Sequence, residues 1–330
     1  MTEEDAWRAV PIPAGQAGYL IATAARAPSV QNTQPWRFRV GEYVIELYAD
    51  PGRKLRVDPA GRELLISCGA ALFGLRLAVR SLGYLPVAEL LPDPARPQLL
   101  ARVTLGKAEP ITPAERKLLE ALPHRHTHRG PWDPGPLPTG LLAGLQHDAL
   151  AEGAHLALID RALAFSKLAD LATAARRWQD RDPVARDEMR RWSRSAADPA
   201  PDGVPAHAFP ATPDQQPGRL PQRDFDLGRS LGLLPGGGPP PAATAVLLTT
   251  SDGRADWLRA GQALHRLLAH AATRWVFASL HTQALETAPT RALIRNRLAL
   301  PGNPQILMQL GRAHTTHATA RRPPADLTEP

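Results

Sequence analysis

The chain has 330 residues, 43% of them hydrophobic, a formal net charge of +7 and a single cysteine, Cys68. That length holds one large domain or two ordinary ones. The lone thiol excludes an intramolecular disulfide and a cysteine-based zinc cluster, and no apolar run reaches the roughly 20 residues that a membrane span needs.

The opening residues, MTEEDAWRAV, are acidic and lack the apolar core of a signal peptide, so a cytoplasmic protein is expected. Positive charge is almost all arginine; Lys54, Lys107, Lys117 and Lys167 are the exceptions. The arginines are scattered and not interleaved with aromatic residues, which argues against a nucleic-acid surface. Pairing with a phosphate-bearing ligand accounts for part of the excess more simply.

Residues 16–27 read as a short helix stopped by Pro28. WRFRV and YVIELYA alternate as two strands joined in a tight hairpin at Gly41-Glu42. Residues 62–83 form a nearly all-apolar helix that must be buried on several sides. VAELL and LLARVTLG follow as strands, then helices over 113–121 and 137–146 with Pro113 and Pro138 near their starts. HLALID is a strand, and 161–194 carry a helical pattern interrupted by Pro183. Residues 196–242 are rich in Pro, Gly and Asp and read as a long loop or a lid. TAVLLTT is a buried strand, 254–278 a second long helix and QILMQLG a last strand, before a tail extended by prolines.

Two stretches resemble each other. LISCGAALFGLRLAVRSLGY (65–84) aligns with WLRAGQALHRLLAHAATRW (257–275), pairing Gly69 with Gly261 and Leu72 with Leu264. Each is followed, some way on, by a Pro-Gln-aliphatic strand ending in Leu-Gly. Glycine costs roughly 1 kcal/mol in a helix interior, so the paired glycines point to two helices crossing closely at those positions.

Four segments carry candidate chemistry. APSVQNTQPWRF (27–38) places Ser29, Gln31, Asn32, Thr33 and Gln34 around a proline-bounded turn. Such side chains either cap the turn or read the edge of a flat heteroaromatic ring. HRHTHRGPW (124–132) alternates, which puts His124, His126 and His128 on one strand face and Arg125, Thr127 and Arg129 on the other. Adjacent arginines repel a cation, so no metal is expected; an anion held by guanidinium forks and a hydroxyl fits better. ATARRPPADL (318–327) offers Arg321 and Arg322. WVFASLHTQALE (275–286) follows the second long helix and brings His281, Thr282 and Gln283.

These motifs resemble those of the nitroreductase family. Pro28-Ser29 with Asn32, Gln34, Pro35 and Trp36 is similar to the family's Pro-Ser-x-x-Asn-x-Gln-Pro-Trp signature, and Arg125-His126-Thr127 with Arg129 is similar to its Arg-His-Ser-x-Lys opening. The resemblance implies FMN as cofactor. It implies ring contacts for Pro28, Ser29 and Asn32, phosphate contacts for Arg125 and Thr127, His126 as a further cofactor-binding residue between them, and Arg129 near the pyrimidine edge. By the same resemblance Thr282 and Gln283 pass beside flavin N5, and Arg321, with Arg322 second, caps the phosphate. The N5 loop departs from the family pattern at Arg274-Trp275 and Leu280-His281.

RELLISCGAAL and TQALE resemble the Acg-like branch, in which one chain carries both halves of a dimer. The resemblance implies an α+β, nitroreductase-like fold with antiparallel-rich mixed sheets around long central helices. It divides the chain into an N-terminal half (1–122) and a C-terminal half (123–330), fused as a pseudo-dimer with one flavin site. The implied activity is hydride transfer from NAD(P)H through FMN to a small electron-poor acceptor, with no side chain required as acid or base. The alternative is a protein that sequesters or senses FMN beneath a lid formed by 196–242. A monomer or weak homodimer is expected, with neither nucleic acid nor membrane as partner.

Overall fold

The computed structural model describes residues 10–212, 219–315 and 317–329. In chain order the elements are α1 (Ala17–Ala24), β1 (Trp36–Val40), β2 (Val44–Ala49), α2 (Arg62–Ser81), β3 (Tyr84–Leu90), β4 (Leu99–Ala108), α3 (Pro113–Ala121) and α4 (Leu141–Ala151). They continue with β5 (His155–Leu158), α5 (Ala162–Arg181), α6 (Pro183–Trp192), β6 (Ser193–Arg194), β7 (Val204–Pro205) and β8 (Ala243–Thr249). The last are α7 (Arg254–Ala272), β9 (Val276–Leu280), α8 (Ala288–Arg297), β10 (Asn303–Arg312) and α9 (Pro324–Leu327).

Two four-stranded sheets share one topology. The first runs β1-β2-β4-β3 and the second β5-β8-β10-β9. In each, a strand leads into a long helix, the next strand takes the sheet edge, and the Pro-Gln strand returns to the centre. Both sheets are antiparallel throughout. Parallel pairing is confined to the short β6–β7 ladder and isolated bridges. The α+β class expected from sequence is the one observed.

Helices α2 and α7 cross between the sheets. A Cβ on Gly69 would overlap the Leu258 carbonyl oxygen and lie 2.8 Å from its carbon. A Cβ on Gly261 would overlap Ile66 O and lie 2.7 Å from Ala70 N. The crossing therefore falls at the paired glycines, as their spacing predicts. Helix α2 is long and apolar enough to cross a membrane, but 89% of its apolar window is buried inside the protein. Its first turn is capped by Asp58, whose carboxylate accepts from Arg62 N (2.9 Å) and Leu64 N (3.1 Å).

Several local readings hold. Helix α3 starts at Pro113 because Thr112 and Glu115 form a capping box. The β1–β2 hairpin turns at Gly41, whose N–H donates to Val44 O at 2.8 Å. Others need correction. The helix read over 254–278 ends at Ala272, and Val276–Leu280 is a sheet-edge strand, β9. Trp275, at φ 53°, makes that change of direction. Helix α4 begins at Leu141, after Gly140 in the left-handed region, not near Pro138. Helix α8 follows TQALE and was not expected. Residues 124–129 are not a regular strand; only Thr127 bridges to a strand, at Ala278.

The long segment is ordered where it is described. Met189 of α6 joins Val204, Ala208, Phe209 and Phe225 in a small apolar core. Asp226, buried, accepts from the N–H groups of Ser230, Leu231 and Gly232 at 2.6–2.9 Å. Those bonds hold its pKa below the ordinary carboxylate value against the opposing effect of burial. Residues 213–218 of the expected lid, and 1–9 of the opening segment, lie outside the described residues.

Candidate functional site

The turn after α1 is built under strain. Gln31, Asn32 and Gln34 all have positive φ, 48°, 55° and 49°, a region that costs a non-glycine residue about 1 kcal/mol or more. Side-chain bonds hold it there. Ser29 Oγ accepts from Gln34 N at 3.0 Å, and Ser67 Oγ of α2 accepts from Val30 N at 3.2 Å. Asn32 Nδ2 donates to Gly203 O (2.9 Å) and Ala320 O (3.2 Å), and Gln34 Nε2 donates to Pro201 O (2.8 Å). The turn thus binds α2, the long segment and the C-terminal tail together.

Beside it lies a cavity with about 750 Å³ of empty space, its mouth included. Pro28, Ser29, Val30 and Gln31 form one wall, and Glu63, Ile66 and Ser67 of α2 another. Thr127 and Arg129 close one end; Ser279, Leu280 and Thr282 come from β9 and the turn after it. Leu264 and Ile306 supply apolar surface, and Gln222, Arg223 and Phe225 of the long segment reach in from above. Apolar surface from Ile66, Leu264, Phe225 and Ile306 beside many polar side chains suits a flat heteroaromatic ligand with polar edges.

Near this cavity, behind the strained turn, stand two guanidinium groups without a carboxylate, Arg125 buried and Arg321 half-buried. Arg125 donates through Nη2 to Arg26 O (3.2 Å), while Nε and Nη1 have no hydrogen-bond partner among the described residues. Arg321 donates through Nη1 to Asn32 Oδ1 (3.1 Å), Thr319 O (2.9 Å), Thr319 Oγ1 (2.5 Å) and Ala320 O (3.0 Å) and through Nη2 to Ala27 O (3.3 Å), which leaves only Nε without a partner among the described residues. Burial, then repulsion by Arg321, lowers the Arg125 pKa to about 9. Burial, then Arg26, lowers that of Arg321 to about 10. A buried, unpaired cation is costly; Arg125, with its free N–H groups and a second guanidinium beside it, is stable only against an anion. His265 of α7 lies in the same field. The Ala70 carbonyl can only accept, so His265 Nδ1 carries the hydrogen (2.7 Å) and Nε2 is left as an unpartnered lone pair. Burial, then Arg125, pushes its pKa down to about 3.

The structure brings most of the sequence-derived candidates to this region. Pro28, Ser29, Thr127, Arg129 and Thr282 line the cavity. Asn32, Arg125 and Arg321 meet at its side. Arg129 is separated from Arg125: it faces Arg223, lies 4.9 Å from the Phe225 ring centre, and donates to Ala208 O at 3.4 Å. His126 packs on Phe277 (4.2 Å between centres) and His128, donating through Nδ1 to its neighbour's carbonyl at His124, with Nε2 unpartnered.

Three candidates have side chains engaged with other partners. Arg322 spends its guanidinium on Gln34 O (3.4 Å) and Asp326 O (2.6 Å). Gln283 is turned away to Gln179, donating at 2.8 Å. His281 is buried against Pro221 O (3.1 Å), and burial lowers its pKa to about 4.

Sequence reasoning missed an acid. Glu63 is buried on the first turn of α2, in the cavity wall. Its Oε1 accepts from Arg62 Nη2 at 3.1 Å, and Oε2 has no partner. Burial, then the nearby Glu286 carboxylate, raises its pKa to about 8 despite Arg62. The motif RELL did contain it, but an acid in an apolar helix face carries no sign of which cavity it meets. Glu286 itself is paired with Arg223 of the long segment and with Gln179.

The chain matches no protein-family model. It is 34% identical over 301 residues to a Mycobacterium tuberculosis protein named "Putative NAD(P)H nitroreductase Rv3131", covering 89% of this chain and 84% of that one. It is 28% identical over 311 residues to the same organism's "Putative NAD(P)H nitroreductase acg", covering 92% of each. Among solved structures, a nitroreductase with bound FMN from Desulfitobacterium hafniense is similar over 64% of this chain and 95% of that chain, with 12% identity and a TM-score of 0.40.

Proposed function

Because the chain belongs to the nitroreductase family, we propose that it binds FMN in the cavity beside Arg125 and Arg321 and is a cytoplasmic oxidoreductase, passing hydride from NAD(P)H to a small electron-poor acceptor. The observation that carries this reading is the arginine pair with unpartnered N–H groups near a cavity of ring-binding character. A phosphate monoester of charge near −2 matches two guanidinium groups that have no acid of their own.

The residues present fit the cofactor. Arg125 and Arg321 would take the phosphate, and Thr127 the adjoining chain. Pro28, Ser29 and Gln31 would meet the ring; Gln31 Oε1 is buried and unpartnered, as an acceptor for a ring N–H must be. FMN supplies the hydride chemistry when bound. Arg129 brings positive charge to the cavity wall, where it would favour a developing anion. The apolar side chains Ile66, Leu264 and Phe225 exclude water from the same space.

In this reading the halves 1–122 and 123–330 form a pseudo-dimer. The shared strand order of the two sheets and the glycine crossing of α2 and α7 support it. The strained turn would come from the first half and the arginine pair from the second, so a single chain would complete one site as a monomer or weak homodimer.

A second reading has its own observation. Gln222, Arg223 and Phe225 of the long segment line the same cavity, and Arg223 is fastened to Glu286. A cover held in that position would leave little room for a nicotinamide, and the protein would then sequester or sense FMN. The test is an FMN titration followed by anaerobic stopped-flow reduction with NADH and NADPH. Flavin bands that survive desalting and bleach with either nucleotide support the reductase. Bands that bleach with dithionite alone favour the second reading, and no retained flavin sinks both.

A further inference from the structure

We propose that Glu63 is the proton donor of this cavity: a neutral carboxylic acid whose Oε2–H supplies the proton that completes reduction of an acceptor bound there. The inference rests on the proposed reductase and adds an acid where the family resemblance implied none.

Three independent features converge on the residue. Glu63 lines the cavity while 3% exposed, and Oε2 is unpartnered and nine-tenths buried or more. A purely structural carboxylate at that depth would use both oxygens, since leaving one unmet costs about 1–3 kcal/mol. Second, the charged groups facing it come from every side: Arg62 and Asp58 at the start of α2, Glu286 after β9, and Arg223 from the long segment. Two of these are carboxylates, and two carboxylates so close do not both ionise readily. Arg62 is divided between Glu63 Oε1 (3.1 Å), Gln305 O (2.8 Å) and Leu285 O (3.2 Å), and Arg223 is committed to Glu286. Glu63 is thus the member left to hold a proton.

The third feature is a route to solvent. Glu286 and Arg62 also line a separate cavity with about 910 Å³ of empty space, its mouth included, together with Asp58, Trp178, Asp182 and Arg291. Trp178 is 62% exposed. Arg62, the donor to Glu63 Oε1, thus borders a second space that reaches the surface.

The step balances with a quinone as acceptor. A dihydronicotinamide, oxidised to nicotinamide, is the source of the hydride, which brings two electrons and one proton to the quinone. The second O–H bond of the hydroquinone forms as the Oε2–H bond of Glu63 breaks. The carboxylate left behind is paired with Arg62 until solvent water reprotonates it. A positioned acid of this kind is worth roughly 10²–10⁴-fold in rate.

The test has two arms. In the first, infrared difference spectra of the flavin-free wild-type protein are recorded between pH 6 and 9.5. A neutral carboxyl C=O band at pH 7 that is lost at alkaline pH, and is absent from Glu63→Gln, is expected. No such band in the wild type overturns the proposal, whatever the flavin does and whether or not the variant folds. In the second, FMN-loaded protein is reduced with dithionite and mixed anaerobically with a benzoquinone. Reoxidation at least tenfold slower in Glu63→Gln, partly restored in Glu63→Asp, is expected, together with loss of the wild type's fall in rate at alkaline pH. Equal rates in all three proteins overturn the proposal while leaving the flavin reading intact. Failure of NAD(P)H to reduce the flavin would instead count against the reductase, and the dithionite arm would still decide the role of Glu63.

Discussion

Gly69 and Gly261 face each other across the crossing of α2 and α7, each occupying space that a Cβ would need to share with the partner helix's backbone. The obstructing atoms are carbonyl oxygens and an amide nitrogen, not flexible side-chain ends, so the helices themselves must separate to admit a methyl group. Overpacking of this kind costs about 1–3 kcal/mol and occasionally more, and the favourable helix propensity of alanine, about 1 kcal/mol, offsets only part of it. Gly261→Ala and Gly69→Ala are each expected to lower stability by about 2 kcal/mol or more, read as a fall in the urea midpoint at constant slope. Because both substitutions wedge the same contact, the double variant should lose less than the sum of the two. Full additivity would mean that the helices do not meet there.

The arginine pair sets a different expectation. Arg125, buried, and Arg321, half-buried, have unsatisfied N–H groups and no acid partner. A charged hydrogen bond to a buried group is worth roughly 1.5–3 kcal/mol, so Arg125→Ala and Arg321→Ala should each weaken FMN binding about 10- to 100-fold, measured by quenching of flavin fluorescence. Riboflavin, which lacks the phosphate, should bind weakly to the wild type and lose little in the variants. The pH sign follows from the depressed Arg125 pKa of about 9. Affinity should be flat from about pH 7, above the phosphate's own titration near 6, up to that value and fall as pH rises through it, when the free protein loses the charge that the phosphate requires. Flavin affinity untouched by both substitutions would place the anion site elsewhere.

Much of this was legible before folding. The alternating strands, Pro113 at the start of α3 and the paired glycines each act through local geometry or a repeated pattern, which a sequence displays. Pro28, Ser29, Asn32, Arg125 and Arg321, singled out by motif spacing, lie near one another around the turn after α1. The failures have physical causes as well. The apolar run through 254–278 has no helix stop that outweighs its periodicity, so the change to β9 at Trp275 was invisible. Arg322 and Gln283 spend their side chains on Asp326, Gln34 and Gln179, partners that no local pattern announces. Glu63 was missed because its role depends on Glu286 and Arg223, 223 and 160 positions away by their numbering. Charge clusters assembled over that distance leave no local pattern.

Acid should destabilise the protein steeply. Burial depresses the pKa values of His126 and His265 to about 3, and of His128 and His281 to about 4. Each is neutral in the folded chain and titrates near 6.5 once unfolded. The unfolded state therefore binds more protons below that value, and stability is lost as pH falls from about 6.5 towards the folded values, by up to roughly 1.4 kcal/mol per pH unit for each histidine. Glu63 acts in the opposite sense. Its raised pKa makes the folded state hold a proton that the unfolded state has released, so its contribution declines as pH rises from the ordinary glutamate range to about 8. Chemical denaturation across pH 4–9 should show a maximum between these limits. His265→Gln should flatten the acid limb, and Glu63→Gln the alkaline one.

The cover over the cavity gives the last expectation. Arg223 has two attachments that hold its segment down: the ion pair with Glu286 and a donor contact to Thr282 Oγ1 at 3.3 Å. Phe225 lies over Arg129 and against Phe209, 5.7 Å between ring centres. Removing the first attachment releases the edge of the segment while leaving its small core with Met189 and Phe209 in place. Arg223→Ala should therefore fold normally and bind FMN with little change, because the phosphate contacts proposed above are Arg125 and Arg321. If the segment restricts the space a nicotinamide must enter, the variant's flavin should be reduced by NADPH at least tenfold faster than the wild type's. Phe225→Ala should act in the same direction and, by emptying part of the small core, also lower stability by about 3–5 kcal/mol. Equal reduction rates in all three proteins, measured by stopped flow at saturating nucleotide, would show that the segment is a wall of the site and not a gate.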